Sequence, residues 1–239
     1  MKELILVSGP SCVGKGPLFA ALKRYYPEIA FDSVPIIKSK GSRLGKPRPN
    51  EVGIWDNPRF FLDDDAFSLL PSDDYIVGDC RGYPQAISLN EIKQSQGSLL
   101  LMEVYHTLGA QFSKLNLAGV AVQSVFITPV SLEDLATLKH CGVDTDCYLQ
   151  ALMVHKQIQR AAFMGKTLTA HEIVDIRLRA EDAVREVASA KDYTHIIVNP
   201  DGEGHPNWNM RSDHRFYGKP LGQARDALMK LVDVIVSER

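Results

Sequence analysis

The chain opens on a short apolar run, Leu4-Ile5-Leu6-Val7, that reaches a glycine-bounded loop, Gly9-Pro10-Ser11-Cys12-Val13-Gly14, after the single residue Ser8. A continuously apolar run ending in turn residues reads as a strand buried on both faces, which is how parallel strands look. Beyond the loop, Leu18, Leu22 and Tyr25 recur at helical spacing until Pro27 stops them. A strand, a tight loop and a helix in that order commit the fold strongly. Parallel strands need crossover connections, and helices must then cover both sheet faces. Three further buried strands follow: Ser98 to Met102, Val120 to Thr128 closed by Pro129, and Thr194 to Val198 closed by Asn199-Pro200. A helix is predicted from Ala170 to Ala190, with Ile173, Ile176, Ala180, Ala183 and Val187 on one face and a capping box at Thr169-Ala170-His171-Glu172. Another runs from Gln223 to Ser237 on Ala224, Leu228, Leu231 and Ile235. The expected class is α/β with a mostly parallel sheet.

Two stretches break this rhythm. Residues 31–90 are rich in Pro, Gly, Asp and Lys, without helical period or long apolar strands, and read as a small inserted subdomain. Residues 201–222 read as a long, ordinary ordered loop carrying His205, Trp208, Arg211 and Tyr217. At roughly 150 residues per domain, 239 residues amount to about 1.6 domains, so inserts in one core account for the excess. Lys and Arg total 27 against 29 Asp and Glu, a net charge of −2. That balance excludes a basic nucleic-acid coat and an acidic tail, so any positive field must be local. No apolar run approaches the roughly 18–20 residues that span a bilayer, and Met1 to Ser8 lacks the marks of a signal peptide. The cysteines, Cys12, Cys80, Cys141 and Cys147, form no CxxC pair and no zinc spacing. Reduced thiols, a cytoplasmic location, and neither membrane nor nucleic-acid partners are therefore expected. The acidic runs Asp63-Asp64-Asp65 and Asp73-Asp74 read as a helix start and a solvated turn, and no protein-held metal site is expected.

The chemistry starts at the first loop. Gly9 to Lys15 matches G-x-x-x-x-G-K between a strand and a helix. In that setting the loop of Gly9, Pro10, Ser11, Cys12, Val13 and Gly14 can turn its backbone N–H groups, which every one of these residues but Pro10 carries, around phosphate oxygens. The helix N-terminus adds positive charge, and Lys15 reaches the β- and γ-phosphates. The next position normally carries a Ser or Thr hydroxyl that binds Mg²⁺; here it is Gly16, followed by Pro17. Anion binding survives that change, while metal positioning loses its usual oxygen.

Further segments converge on one family. Lys46-Pro47-Arg48-Pro49-Asn50-Glu51 resembles the P-R-x-G-E segment of guanylate kinases. Arg179, Glu186 and Ile196-Ile197-Val198-Asn199 fall at that family's spacing on a helix and the strand after it, and Val234 to Arg239 resembles its last helix. The resemblance implies a single guanylate kinase-like domain over residues 1–239. Its P-loop kinase core would comprise 1–30, 91–137 and 171–239, with an acceptor-binding insert at about 31–90 and a lid at about 138–170. The implied activity is ATP-dependent phosphoryl transfer to a nucleoside monophosphate, GMP or dGMP first, with ATP and Mg²⁺ as cofactors. Lys15, Arg179 and Arg160 would act on the transferring phosphoryl group. Arg48 would grip the acceptor's phosphate, with Lys38 beside it; Glu51 and Glu103 would accept from a purine edge or hold hydrated Mg²⁺; Tyr83 would bond to or stack on the acceptor. The chain also departs from the family. The second acceptor-loop arginine falls near Gly45, Glu103-Val104-Tyr105 keeps one acid of D-x-D, and Gly78 to Gln85 offers no base-reading glutamate. Two alternatives stay open: a P-loop kinase of another phosphorylated acceptor such as a ribose bisphosphate, and a guanylate kinase-like binding module with weakened turnover.

Overall fold

The structure is a computed structural model and describes all residues except 42–46, 48–50, 113, 114, 116, 214, 238 and 239. The chain divides into two compact units, residues 1–6 with 31–123 and residues 7–30 with 124–239. Strand β1 (Lys2–Ser8) leads through the glycine loop into helix α1 (Lys15–Tyr25). A four-stranded sheet has the order β6-β1-β7-β8, where β6 is Leu99–Glu103, β7 is Val120–Thr128 and β8 is His195–Val198. β7 and β8 pair in parallel from Val125–His195 to Thr128–Val198. All four strands fall on the apolar runs; Leu4 to Val7 of β1, Leu99 to Met102 of β6 and Val125 to Ile127 of β7 are buried, as two-sided coverage requires, while β8 buries Ile197 and leaves Ile196 exposed.

In the first unit, residues 31–90 hold more strand than their composition suggests. Strands β2 (Ile37–Ser39), β3 (Phe61–Leu62), β4 (Tyr75–Cys80) and β5 (Tyr83–Ser88) form a second sheet in the order β3-β2-β5-β4, and the short helix α2 (Asp64–Ser68) lies between β3 and β4. β4 and β5 make an antiparallel hairpin whose two-residue turn, Arg81-Gly82, has φ of 58° and 78°. Positive φ at both central residues is the type I′ signature, which matches the twist of the strands it joins. Helix α3 (Leu89–Gln94) is capped by Ser88, and helix α4 (His106–Phe112) follows β6. Leu4, Ile76, Ile87, Ile92, Leu100 and Phe112 are among the residues of this unit's core.

In the second unit, β7 runs into helix α5 (Leu132–His140), then α6 (Thr145–Phe163) and α7 (Ala170–Ala188). The segment expected as a lid is thus largely one long helix. α6 starts at Asp144, whose carboxylate accepts from the N–H groups of Asp146 and Cys147. α7 starts on the predicted capping box, where Lys166 and the Thr169 N–H and hydroxyl bind Glu172 and pull its carboxyl down to about 2. Helix α8 (Gly222–Val236) buries Ala224, Leu228, Leu231 and Ile235. The stretch before α8 is anchored rather than loose. Trp208 is fully buried, Tyr25 donates to the Gly218 carbonyl at 2.6 Å, and Asp201 accepts from Asn207 at 2.9 Å and from the Ala224 N–H at 2.7 Å. No helix among the described residues is long and apolar enough to cross a membrane.

Candidate active site

The glycine loop is held in one conformation by backbone geometry. Gly9, Cys12 and Gly14 have φ of 143°, 67° and 100°, which left-handed conformations give and which β-carbons oppose. Space opposes them as well. A Cβ on Gly9 would collide with the Ile127 carbonyl, and one on Gly14 would run into the Asn199 amide and lie 3.1 Å from the Trp208 ring. The walls tie back to the loop. Asn199 Nδ2 donates to the Val13 carbonyl at 2.7 Å, and the Glu203 N–H donates to the Cys12 carbonyl at 3.0 Å. Trp208 Nε1 in turn donates to Gly202 at 2.6 Å.

Cations gather at this loop. Lys15 is buried and folds back so that its ammonium donates to the Gly9 carbonyl and, at 2.8 Å, to the Pro10 carbonyl. From α6, Lys156 and Arg160 lie four residues apart on one face. Lys156 donates to the Pro200 carbonyl, and burial lowers its pKa against the opposing pull of Asp201. Arg160 Nε meets Glu203 Oε2 at 2.6 Å, and its guanidinium approaches the Cys12 sulfur at 4.0 Å. Arg179, on α7, pairs with Asp175 at 2.8 Å. Burial and the Glu203 charge push the Cys12 thiol up to about 11, while Arg160 and Arg179 pull the other way. Both guanidiniums therefore act electrostatically on the loop.

The first unit carries a second concave feature, a cleft of about 560 Å³ lined by Ser39, Asp64, Phe67, Val77, Tyr83 and Pro84 among others. That volume lies within the range of small-molecule sites, roughly 300–1,000 Å³. Asp64 accepts from the Ser39 hydroxyl and, at 2.9 Å, from the Gly41 N–H, and these bonds hold its carboxyl below the usual range.

No protein-family model matches the chain. Individual relatives do. It is 27% identical to a guanylate kinase of Trichormus variabilis over 207 residues, 84% of each chain. It is 29% identical to one from Synechococcus sp. over 192 residues, 77% of this chain and 80% of the relative. The crystal structure of guanylate kinase from Anaplasma phagocytophilum superposes with a TM-score of 0.53 at 14% identity, covering 99% of this chain and 86% of that one, so the fold is shared. The chain fits a divergent member of the guanylate kinase family.

The guanylate kinase-like residues expected from sequence fall into three groups. Gly9 to Gly16, Lys15, Arg160 and Arg179 lie at or act on one loop in the second unit. In the first unit, Tyr83 lines the cleft, whereas Lys38 and the buried Glu51 are not among its lining residues and pair with each other at 3.0 Å. Glu103 is exposed at the end of β6. Arg48 lies outside the described residues. Sequence reasoning did not select Lys156, Asn199 as a loop wall, or Glu203. The i, i+4 spacing of Lys156 and Arg160 was a visible signal for the first. Asn199 closes the family-like run Ile196 to Asn199 but acts on Val13 from far along the chain, and nothing local marks Glu203.

Proposed function

We propose that the protein is an ATP-dependent nucleoside monophosphate kinase, with GMP or dGMP the first acceptor to test and Mg²⁺ carried on the ATP. The observation that carries this reading is the glycine loop itself, locked by three positive-φ residues, walled by residues 127 and 199–208, and met by Lys15 and Arg160, with the Arg179 charge acting on Cys12. Such a loop fits a triphosphate. Its N–H groups and the start of α1 bind phosphate oxygens, and fixed cations balance the charge that spreads over the transferring group. When bound, Mg²⁺ would neutralise the β- and γ-phosphate oxygens. Among the described residues no group of three or more His, Cys, Asp or Glu gathers to cage a cation, and an ion held through phosphate and water needs no such cage. Within this reading Lys15 follows the β- and γ-phosphates, Arg160 and Arg179 neutralise charge on the transferring phosphoryl, and Lys156 adds to the local field.

The cleft in the first unit is assigned to the acceptor. Tyr83 would stack on or bond to it, Arg48 would hold its phosphate, and Lys38 would contribute charge while tied to Glu51. One observation favours a second acceptor class, a phosphorylated sugar. Asp64, the carboxylate among the residues that line the cleft, is already engaged by Ser39 and Gly41. That leaves little acidic surface to read a base. ADP release from ATP·Mg²⁺ with a panel of nucleoside monophosphates and ribose bisphosphates tests the assignment. GMP turnover is the expected result. Turnover of a sugar phosphate alone would transfer the assignment to that class, and ATP binding without ADP from any acceptor would overturn the enzyme reading in favour of a binding module.

A further inference from the structure

Position 16 lacks a hydroxyl, and a carboxylate from a distant part of the sequence stands beside it. A Cβ at Gly16 would lie 3.7 Å from Glu203 Oε1, with no other neighbour within 4 Å among the described residues. A serine oxygen there would sit one bond further out, so Oε1 occupies the neighbourhood where that hydroxyl would act. Glu203 is fixed in this place by its own backbone, since its N–H donates to the Cys12 carbonyl at 3.0 Å. The residue before it explains how the chain comes so close: Gly202 has φ of 60°, and a Cβ on it would lie 2.9 Å from that same carbonyl. The two carboxylate oxygens have different surroundings. Oε2 accepts from Arg160 at 2.6 Å, while Oε1 faces the first turn of α1. An ion pair with a guanidinium as exposed as that of Arg160 (45%) contributes little by itself and does not require the second oxygen to face residue 16.

We propose that Glu203 supplies the hard oxygen missing from residue 16 and positions the divalent cation of the metal–nucleotide complex, directly or through a bound water. The chemistry suits it, because Mg²⁺ selects oxygen ligands, keeps several waters and is commonly bound through one or two carboxylates together with phosphates. Arg160 then has a second effect: by holding Oε2 it fixes the rotamer that presents Oε1. This inference rests on the P-loop reading above.

The test uses Mn²⁺ as a paramagnetic probe, with bound and free ion separated by electron paramagnetic resonance in the presence of a non-hydrolysable ATP analogue. Affinity for the analogue is measured separately in EDTA. Glu203→Gln is expected to weaken Mn²⁺ binding about 10- to 100-fold, the range for losing a residue that orients a metal. The analogue's affinity in EDTA should stay the same or tighten slightly. Adding Gly16→Ser to Glu203→Gln should recover most of the Mn²⁺ affinity, since position 16 has room for a side chain. Glu203→Asp, which keeps the charge and retracts the oxygen, gives an intermediate loss and serves if the glutamine variant does not fold. Unchanged Mn²⁺ affinity in the folded variant overturns the proposal. So does tighter metal-free nucleotide binding with Mn²⁺ affinity untouched, which would make Glu203 a competitor of the phosphates. Failure of the wild-type protein to bind the analogue in EDTA would instead bring down the P-loop reading.

Discussion

The glycine loop of the second unit and the cleft of the first solve different problems. In the loop, nearly every neighbour is fixed. Its backbone carbonyls are bonded to Lys15, Asn199 and Glu203, its glycines have no room for a methyl group, and Lys156 and Arg160 are anchored at their tips. The cleft is built on short strands and a five-residue helix, and its Tyr83 is 44% exposed. A site that stabilises charge on a transferring group gains from rigid dipoles and cations, because reorganisation during the reaction costs energy. A site that selects among acceptors can tolerate variation, and one departure from the guanylate kinase pattern, Gly78 to Gln85, reaches the cleft through Gly82, Tyr83 and Pro84. On the proposed reading the fixed region serves the transferring group and the adaptable region selects the acceptor.

The contrast can be broken at several points. The largest effect is expected from Lys15→Ala, which should lower kcat by on the order of 10²–10³; turnover within threefold of wild type would remove Lys15 from the chemistry. Gly14→Ala comes next. It forces a side chain into a left-handed position against Asn199 and Trp208 and should cost about 1–3 kcal/mol of stability. Gly82→Ala, also at positive φ but with open space around it, should cost less, and equal losses in chemical denaturation would contradict the distinction. Tyr83→Ala should raise KM for the acceptor roughly tenfold while leaving ATP affinity unchanged, the loss of about 1.4 kcal/mol of binding. An equal change in both constants would argue that the cleft does not hold the acceptor.

The smallest effect concerns protons. Cys12, raised to about 11, is a thiol at neutral pH, so iodoacetamide at pH 8 should alkylate the exposed Cys141 well before Cys12. The neutral thiol incurs no desolvation cost below the unfolded pKa of about 8.5. As the pH rises from there towards the folded value, the unfolded state releases its proton first, and stability falls. Thermal unfolding that is flat between pH 8 and 11 in the wild type, and matches Cys12→Ala there, would contradict the shift.

What the sequence reveals depends on where the information sits. β1 and β6 are legible because strands covered on both faces are written as unbroken apolar runs, and β7 and β8 because short apolar runs end at Pro129 and at Asn199-Pro200. α7 is legible twice over, in its periodicity and in the Thr169–Glu172 capping box. β4 and β5 are not, because Val77 stands at an exposed position and Gly78 at a buried one, which hides the alternation, and the turn is made by Arg81-Gly82 instead of Asn-Gly or Asp-Gly. α6 escapes notice because its inner face buries Lys156 and Gln157, polar residues where an amphipathic pattern expects leucines. At the site, Gly9 to Lys15 carries its chemistry in its own letters. The roles of Asn199 and Glu203 come from contacts with Val13 and Cys12, and only the fold creates those.

Those distant walls also set the order in which the site can come into being. The motif is complete once residue 15 has been made, but the groups that hold it, Ile127, Asn199, Gly202, Glu203 and Trp208, lie far downstream of it. A nascent chain would carry the recognisable signature through the synthesis of residues 16–198 without the means to keep it in shape. Closing contacts of such long sequence separation is slow compared with forming a local helix. The fixed shape of the loop is therefore acquired only after its distant walls have been made, and a chain arrested before residue 199 would have the motif without the site.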